Sequence, residues 1–146
     1  MQMAVLDNKL QEKIDDLINI GNEFWDQDKS QYYKKLFEAW ELYPEPKKNW
    51  NEAYSLAKEI YQAYILDENF DKAKEWLNKM IDNNNHLHLF DEDCTFNYAK
   101  YQFEIGEYKD SYAKFKEVVE VAGVRYFEDE DPKYLKFYKN PEKHIK

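Results

Sequence analysis

Cysteine, glycine and proline are scarce in this chain, with one, three and four copies in 146 residues. A lone cysteine, Cys94, cannot close an intramolecular disulfide, so a disulfide-stapled scaffold is excluded. So few turn-formers cannot serve the many tight reversals of a β-sandwich or barrel, yet they suffice for helices joined by short loops. No apolar run approaches the ~20 residues needed to cross a bilayer, and no segment reads as a basic amphipathic surface helix. Residues Met1 to Asp7 carry neither the basic stretch nor the apolar core of a secretory leader. Positive charge is also short: 21 Lys and Arg face 30 Asp and Glu, a formal charge of −9. That balance repels phosphate backbones and anionic lipid and favours a basic protein partner. A reducing cytoplasm, no membrane contact and no nucleic-acid partner are the expectations.

Apolar and aromatic surface is plentiful. Hydrophobic residues make up 43% of the chain, with thirteen Tyr, nine Phe and four Trp. At this length that is enough to fold as one domain with its own core. Apolar residues recur at steps of three and four, as in Leu10, Ile14, Leu17, Ile18, Gly21, Phe24 and Trp25, which is helical spacing. Breaks near Asp28 to Ser30, Pro44 to Pro46, Asp67 to Asn69, Asn83 to Asn85, Gly106-Glu107 and Ala122-Gly123 divide the chain into six helices and a tail. Ser30 is a candidate cap for the second helix, and Asn49 with Glu52 spells a capping box before the third. Gly123 suits a left-handed cap, and Asp131-Pro132 places proline at a first helical position.

The helices pair. Leu17-x2-Ile20-Gly21-x2-Phe24 is followed by Tyr33-x3-Phe37, Ala57-x2-Ile60-Tyr61-x2-Tyr64 by Ala73-x3-Leu77, and Thr95-x2-Tyr98-Ala99-x2-Gln102 by Ser111-x3-Phe115. Gly21 to Tyr33, Tyr61 to Ala73 and Ala99 to Ser111 are each twelve residues apart, so the same faces oppose one another across each turn. Over about residues 14 to 122 the pattern resembles the tetratricopeptide repeat. Unit offsets of 40 and 38 residues exceed the family's roughly 34, and Tyr33 and Tyr61 stand where small residues are usual. The resemblance implies an all-α fold in which three antiparallel hairpins, over about 7–43, 49–83 and 91–122, stack as a short right-handed solenoid. A cap over about 131–139, carrying Tyr134, Leu135, Phe137 and Tyr138, would close the last apolar face.

In such an array the first helices line a concave face. The residues not needed for packing within hairpins are Asp15, Asn22, Trp25, Asp26, Lys58, Gln62, Asp93, Lys100, Phe103 and Glu104, a mixture of aromatics and charges that suits protein binding. Trp25 and Phe103 also suit packing between hairpins. Asn22, Lys58 and Lys100 are the candidates for holding a chain-terminal carboxylate, but the neighbouring acidic residues oppose it. The C-terminal segment and the run from Pro44 to Tyr54 resemble small bacterial tetratricopeptide-type immunity proteins, which cover a toxin domain made by their own cell. That resemblance implies a basic toxin as partner, with Asp91 to Asp93 and Glu128, Asp129, Glu130 and Asp131 as contacts, and steric occlusion as mechanism. An adaptor reading a peptide is the alternative.

Catalytic chemistry is thinly represented. The chain contains no P-loop and no Gly-rich dinucleotide turn, so no cofactor is expected. His86, His88 and Asp91 could in principle serve a metal-dependent hydrolase, with Cys94 nearby, but their spacing matches no closed metal site. An inter-repeat loop followed by an acidic helix start accounts for the same residues.

Overall fold

The computed structural model describes residues 5–145. Among these the fold is all-α, with seven helices and no strand: α1 (Asn8–Glu23), α2 (Lys29–Leu42), α3 (Asn51–Leu66), α4 (Phe70–Leu87), α5 (Asp91–Glu104), α6 (Tyr108–Ala122) and α7 (Pro132–Lys139). The closest packing is within α1/α2, α3/α4 and α5/α6, giving three helical hairpins. Consecutive hairpins meet through α2 against α3 and α4 against α5, and α7 lies on α6.

Several helix starts follow from their caps. Asp7, Asn69 and Asp131 accept hydrogen bonds from Leu10, Lys72 and Lys133 backbone N–H groups, satisfying donors that a helix leaves free. Other local expectations fail. Asp28, not Ser30, caps α2, accepting from the Ser30 and Gln31 N–H groups; Ser30 Oγ itself donates to Asp28 at 2.6 Å. The capping box at Asn49 and Glu52 does not form, because Asn49 belongs to a 3₁₀ turn (Lys47–Asn49) and Trp50 begins α3 without a side-chain cap. The asparagine run does not stop α4. Asn83 and Asn84 are buried within it, Asn84 accepting from Phe90 N–H at 2.9 Å and donating to Asp91 at 2.8 Å. Gly123 has φ 68° and ψ −153°, a region open to glycine alone rather than the left-handed helical cap.

Two apolar clusters hold the chain together. One joins α1 to α4 and reaches Cys94 at the start of α5. The other gathers Phe96, Ala99, Phe115, Val118, Phe127, Tyr134 and Phe137, so α7 and the turn before it cover the exposed side of the third hairpin.

Within the first hairpin Gly21 allows the helices to approach closely. A Cβ there would lie 2.5 Å from Leu36 Cδ1, 3.1 Å from Lys35 Cβ and 3.2 Å from Tyr32 O. Leu36 is fully buried, so its Cδ1 would have to shift within the packed hairpin. Gly21→Ala is therefore expected to destabilise the fold by about 1–2 kcal/mol, overpacking outweighing the ~1 kcal/mol gain in helix propensity. The check is a lower urea midpoint at unchanged slope; equal or raised stability would refute the close-approach account. In the third hairpin, Ser111 Oγ donates to Ala99 O at 2.7 Å, a buried link between two small residues twelve positions apart.

Tyr33 and Tyr61, bulky where the other two hairpins carry Ala73 and Ser111 or Gly21 and Ala99, reach out of their own hairpins. The Tyr33 hydroxyl donates to Asp67 and the Tyr61 hydroxyl to Asn97 O, each at 2.6 Å.

Candidate functional site

The joints between units share one device, in which a tyrosine hydroxyl and a lysine ammonium converge on a single carboxylate. Tyr33 and Lys29 of α2 meet Asp67 at the end of α3. Tyr54 and Lys58 of α3 meet Asp93 of α5, at 2.6 and 2.8 Å. Tyr134 and Lys133 of α7 meet Glu104 of α5, at 2.8 and 2.6 Å. A neutral phenol can donate to a carboxylate while the ammonium balances its charge, so each acid is held in a partly desolvated seam. Stacked rings reinforce two of these seams: Tyr33 on Tyr64 at 4.3 Å and Tyr54 on Phe90 at 4.2 Å.

The second and third joints form the floor of a furrow between α3, α5 and residues 125–134. The structure brings eight of the expected binding residues to it: Lys58, Gln62, Asp93, Lys100, Glu104, Glu128, Asp129 and Glu130. Buried Phe127 and the 3₁₀ turn Arg125–Phe127 anchor the acidic stretch. Lys100, only 5% exposed, ion-pairs Glu130. Burial pulls the Lys100 ammonium below the usual lysine range, and Glu130 opposes that pull.

The remaining candidates lie elsewhere. Asp15, Asn22 and Asp26 are exposed on or just beyond α1. Trp25, half-buried, packs edge-on against Tyr32 with Lys29 over its ring. Phe103 does not line the furrow, being packed among Tyr108, Tyr134 and Phe137. Asp131, at the end of the expected acidic run, also lines it, and residues that sequence reasoning missed complete the walls: Glu59, Glu68, Asn97 and Tyr126. Burial pushes the Glu59 carboxyl above its usual range, offset in part by Asn22. A lysine four residues from a tyrosine, as at Lys29/Tyr33 and Tyr54/Lys58, was a visible signal; Asn97 inside a helix gave none.

The furrow is acidic. Glu59, Glu68, Asp93, Glu104, Glu128, Asp129, Glu130 and Asp131 face four cations, Lys58, Lys100, Arg125 and Lys133, an excess of four negative charges. The three lysines are committed to Asp93, Glu130 and Glu104. Their positive charge is thus already neutralised from within, and the field left at the surface is that of the other five carboxylates, offset only by Arg125.

His86 lies in the last turn of α4, and His88 ends that helix in a left-handed conformation, its Nδ1 3.4 Å from Asp91. Among the described residues no group of three or more His, Cys, Asp or Glu side chains is arranged to hold a metal ion. Cys94 is buried. Burial, then Asp93 and Asp91, pushes its thiol up to about 11. Because only the thiolate attacks, a disulfide reagent at pH 8 is expected to label Cys94 on the order of a hundredfold more slowly in the folded chain than in denaturant. Equal rates would show an open, unperturbed thiol.

No helix among the described residues is long and apolar enough to cross a membrane. Comparison of the chain with protein-family models, with characterised proteins and with solved structures finds no match.

Proposed function

We propose that this is a tetratricopeptide-like protein-binding module whose furrow receives a basic protein, and that its specific task is immunity: covering a toxin domain made in the same cell. The observation that carries the reading is the furrow's excess of carboxylates over cations, with every furrow lysine engaged internally. Such a surface attracts a positively charged partner at long range and rejects an acidic chain terminus at close range. The clasped joints fix the floor of the furrow before the partner arrives, which lowers the ordering cost of association. Inhibition by occlusion needs no chemistry from this chain, only a fitted and complementary surface over the partner's working face.

The test is co-purification from the native host followed by mass spectrometry, repeated with Glu128→Lys and Asp129→Lys. A stoichiometric complex with a basic toxin domain, lost in the charge-reversed variant and weakened by salt, supports the proposal. A complex indifferent to both changes moves the interface off the furrow. Recovery of housekeeping chaperones alone overturns the immunity role.

A further inference from the structure

An open apolar groove of about 740 Å3 runs along the first hairpin and shares no lining residue with the furrow. Leu17 of α1 and Tyr33, Phe37 and Leu42 of α2 line it. Leu17, Tyr33 and Phe37 are half-buried and Leu42 is exposed. Apolar side chains gathered along two turns of one helix mark a surface for another molecule. The charges beside them decide which. Lys34 and Glu41, both exposed, also line the groove, seven residues and so two helical turns apart, about 10.5 Å. Neither forms an ion pair among the described residues. Lys35 and Glu38 pair with each other at 3.5 Å. The stripe thus carries one uncommitted cation toward the start of α2 and one uncommitted anion toward its end, with no excess of either sign. A basic domain, which the furrow attracts, gains no field here. A stripe that is positive at one end and negative at the other is instead complementary to itself reversed.

We infer that this groove receives a second copy of the chain, the two α2 helices packing antiparallel about a two-fold axis level with Phe37 and Glu38. Each Lys34 then lies level with the second copy's Glu41, so two ion pairs form, one at either end of the contact. Each Phe37 meets the second copy's Phe37 between them, with Tyr33 and Leu17 alongside. Glu38 approaches its own counterpart across the axis, but Lys35 already balances it. Two chains of charge −9 repel at long range, an opposition that ~0.15 M salt confines to about 8 Å. The dimer leaves both furrows open, and it stands or falls separately from the reading of the furrow.

The experiment is sedimentation equilibrium of the full chain from about 10 μM to about 1 mM in ~0.15 M salt. The weight-average mass of the parent is expected to climb from 17.9 kDa toward twice that value. Lys34→Glu and Glu41→Lys, single reversals on exposed side chains, should each weaken the dimer at least about tenfold, because each turns both attractive pairs into repulsive ones. The double variant Lys34→Glu/Glu41→Lys should dimerise like the parent. An equimolar mixture of the two single variants should give a mixed dimer, since both pairs are attractive there. Helical circular dichroism of each variant, unchanged from the parent, shows that folding is not what moved. A parent chain that stays at monomer mass throughout overturns the proposal. So does a dimer that ignores the single reversals, or one that neither the double variant nor the mixture restores, since the contact then lies on another face. If the chain is monomeric and a co-purified protein is lost from Lys34→Glu or Glu41→Lys, the groove belongs to that protein and self-pairing is refuted.

Discussion

Raising the pH from 10 to 11 is expected to remove about 3 kcal/mol of stability from this protein through Tyr54, Tyr61 and Tyr134 alone. Burial pushes all three phenols above the ordinary tyrosine range, and for Tyr54 and Tyr134 the adjoining Asp93 and Glu104 add to the effect. The sign is as follows. Below about pH 10 these phenols are protonated in both the folded and unfolded chain, and the stabilisation is fully present. Above it the unfolded chain sheds its phenolic protons while the folded chain retains them, so stability falls as pH climbs toward the folded-state values. Each group costs about 1 kcal/mol over that step, because the unfolded phenol is already half ionised at pH 10, and approaches about 1.4 kcal/mol per pH unit above it, against a typical total of 5–15 kcal/mol for a domain. Tyr32, Tyr33 and Tyr43 are raised in the same direction, also chiefly by burial. Lys100 works oppositely, its lowered folded value making stability rise with pH, but it is one group against several. Tyrosinate absorbance and helical circular dichroism should therefore change together in one cooperative alkaline step. Independent titration of all tyrosines near pH 10, with the helices intact, would contradict the buried placement of the three rings.

Asp93→Ala is expected to destabilise the protein by about 2–4 kcal/mol. The substitution strands a Tyr54 hydroxyl on a residue only 2% exposed and leaves the Lys58 ammonium without its carboxylate. Asp67→Ala at the first joint should cost less, because Lys29 is half exposed there and water can replace the lost partner. Tyr54→Phe combined with Asp93→Ala should cost less than the two singles added, since removing both ends leaves no orphaned hydroxyl. Urea denaturation of the four chains measures this coupling. A cost for Asp93→Ala within ~0.5 kcal/mol, the range of ordinary surface changes, would show that the second clasp does not hold the hairpins together. The same residue lies in the furrow, so its loss should also loosen the surface offered to a partner.

Much of the helical framework is legible in the chain because its causes are local. Steps of three and four among Leu10, Ile14, Leu17 and Ile18, the proline after Asp131 and the scarcity of glycine act within a turn or two of their own position. Where local signals competed, the reading slipped. Asp28 displaced Ser30 as a cap because a carboxylate can accept from two backbone donors and the neighbouring hydroxyl together. The asparagines after Ile81 stayed helical because Asn83 and Asn84 found partners beyond their own helix, at Trp50 O and Phe90 N–H.

The placement of binding residues divides on the same principle. Lys58, Gln62, Asp93, Lys100 and Glu104 were found from the faces of α3 and α5, since a helix sets where its own side chains point. Phe103 sits on the same helix but is drawn off by Tyr134 and Phe137, partners roughly 30 residues away that no local pattern specifies. By itself, then, the sequence determined an all-α chain of paired helices with an acidic surface, because periodicity, caps and charge are properties of neighbours along the chain. Tertiary structure alone decided that Tyr54 and Lys58 would close on Asp93, that Lys100 would be neutralised by Glu130, and that Asn97 would be buried within α5. These depend on how hairpins are set against one another, across separations of 30 to 39 residues for the clasped contacts, and that setting follows from the joint packing of all the faces at once.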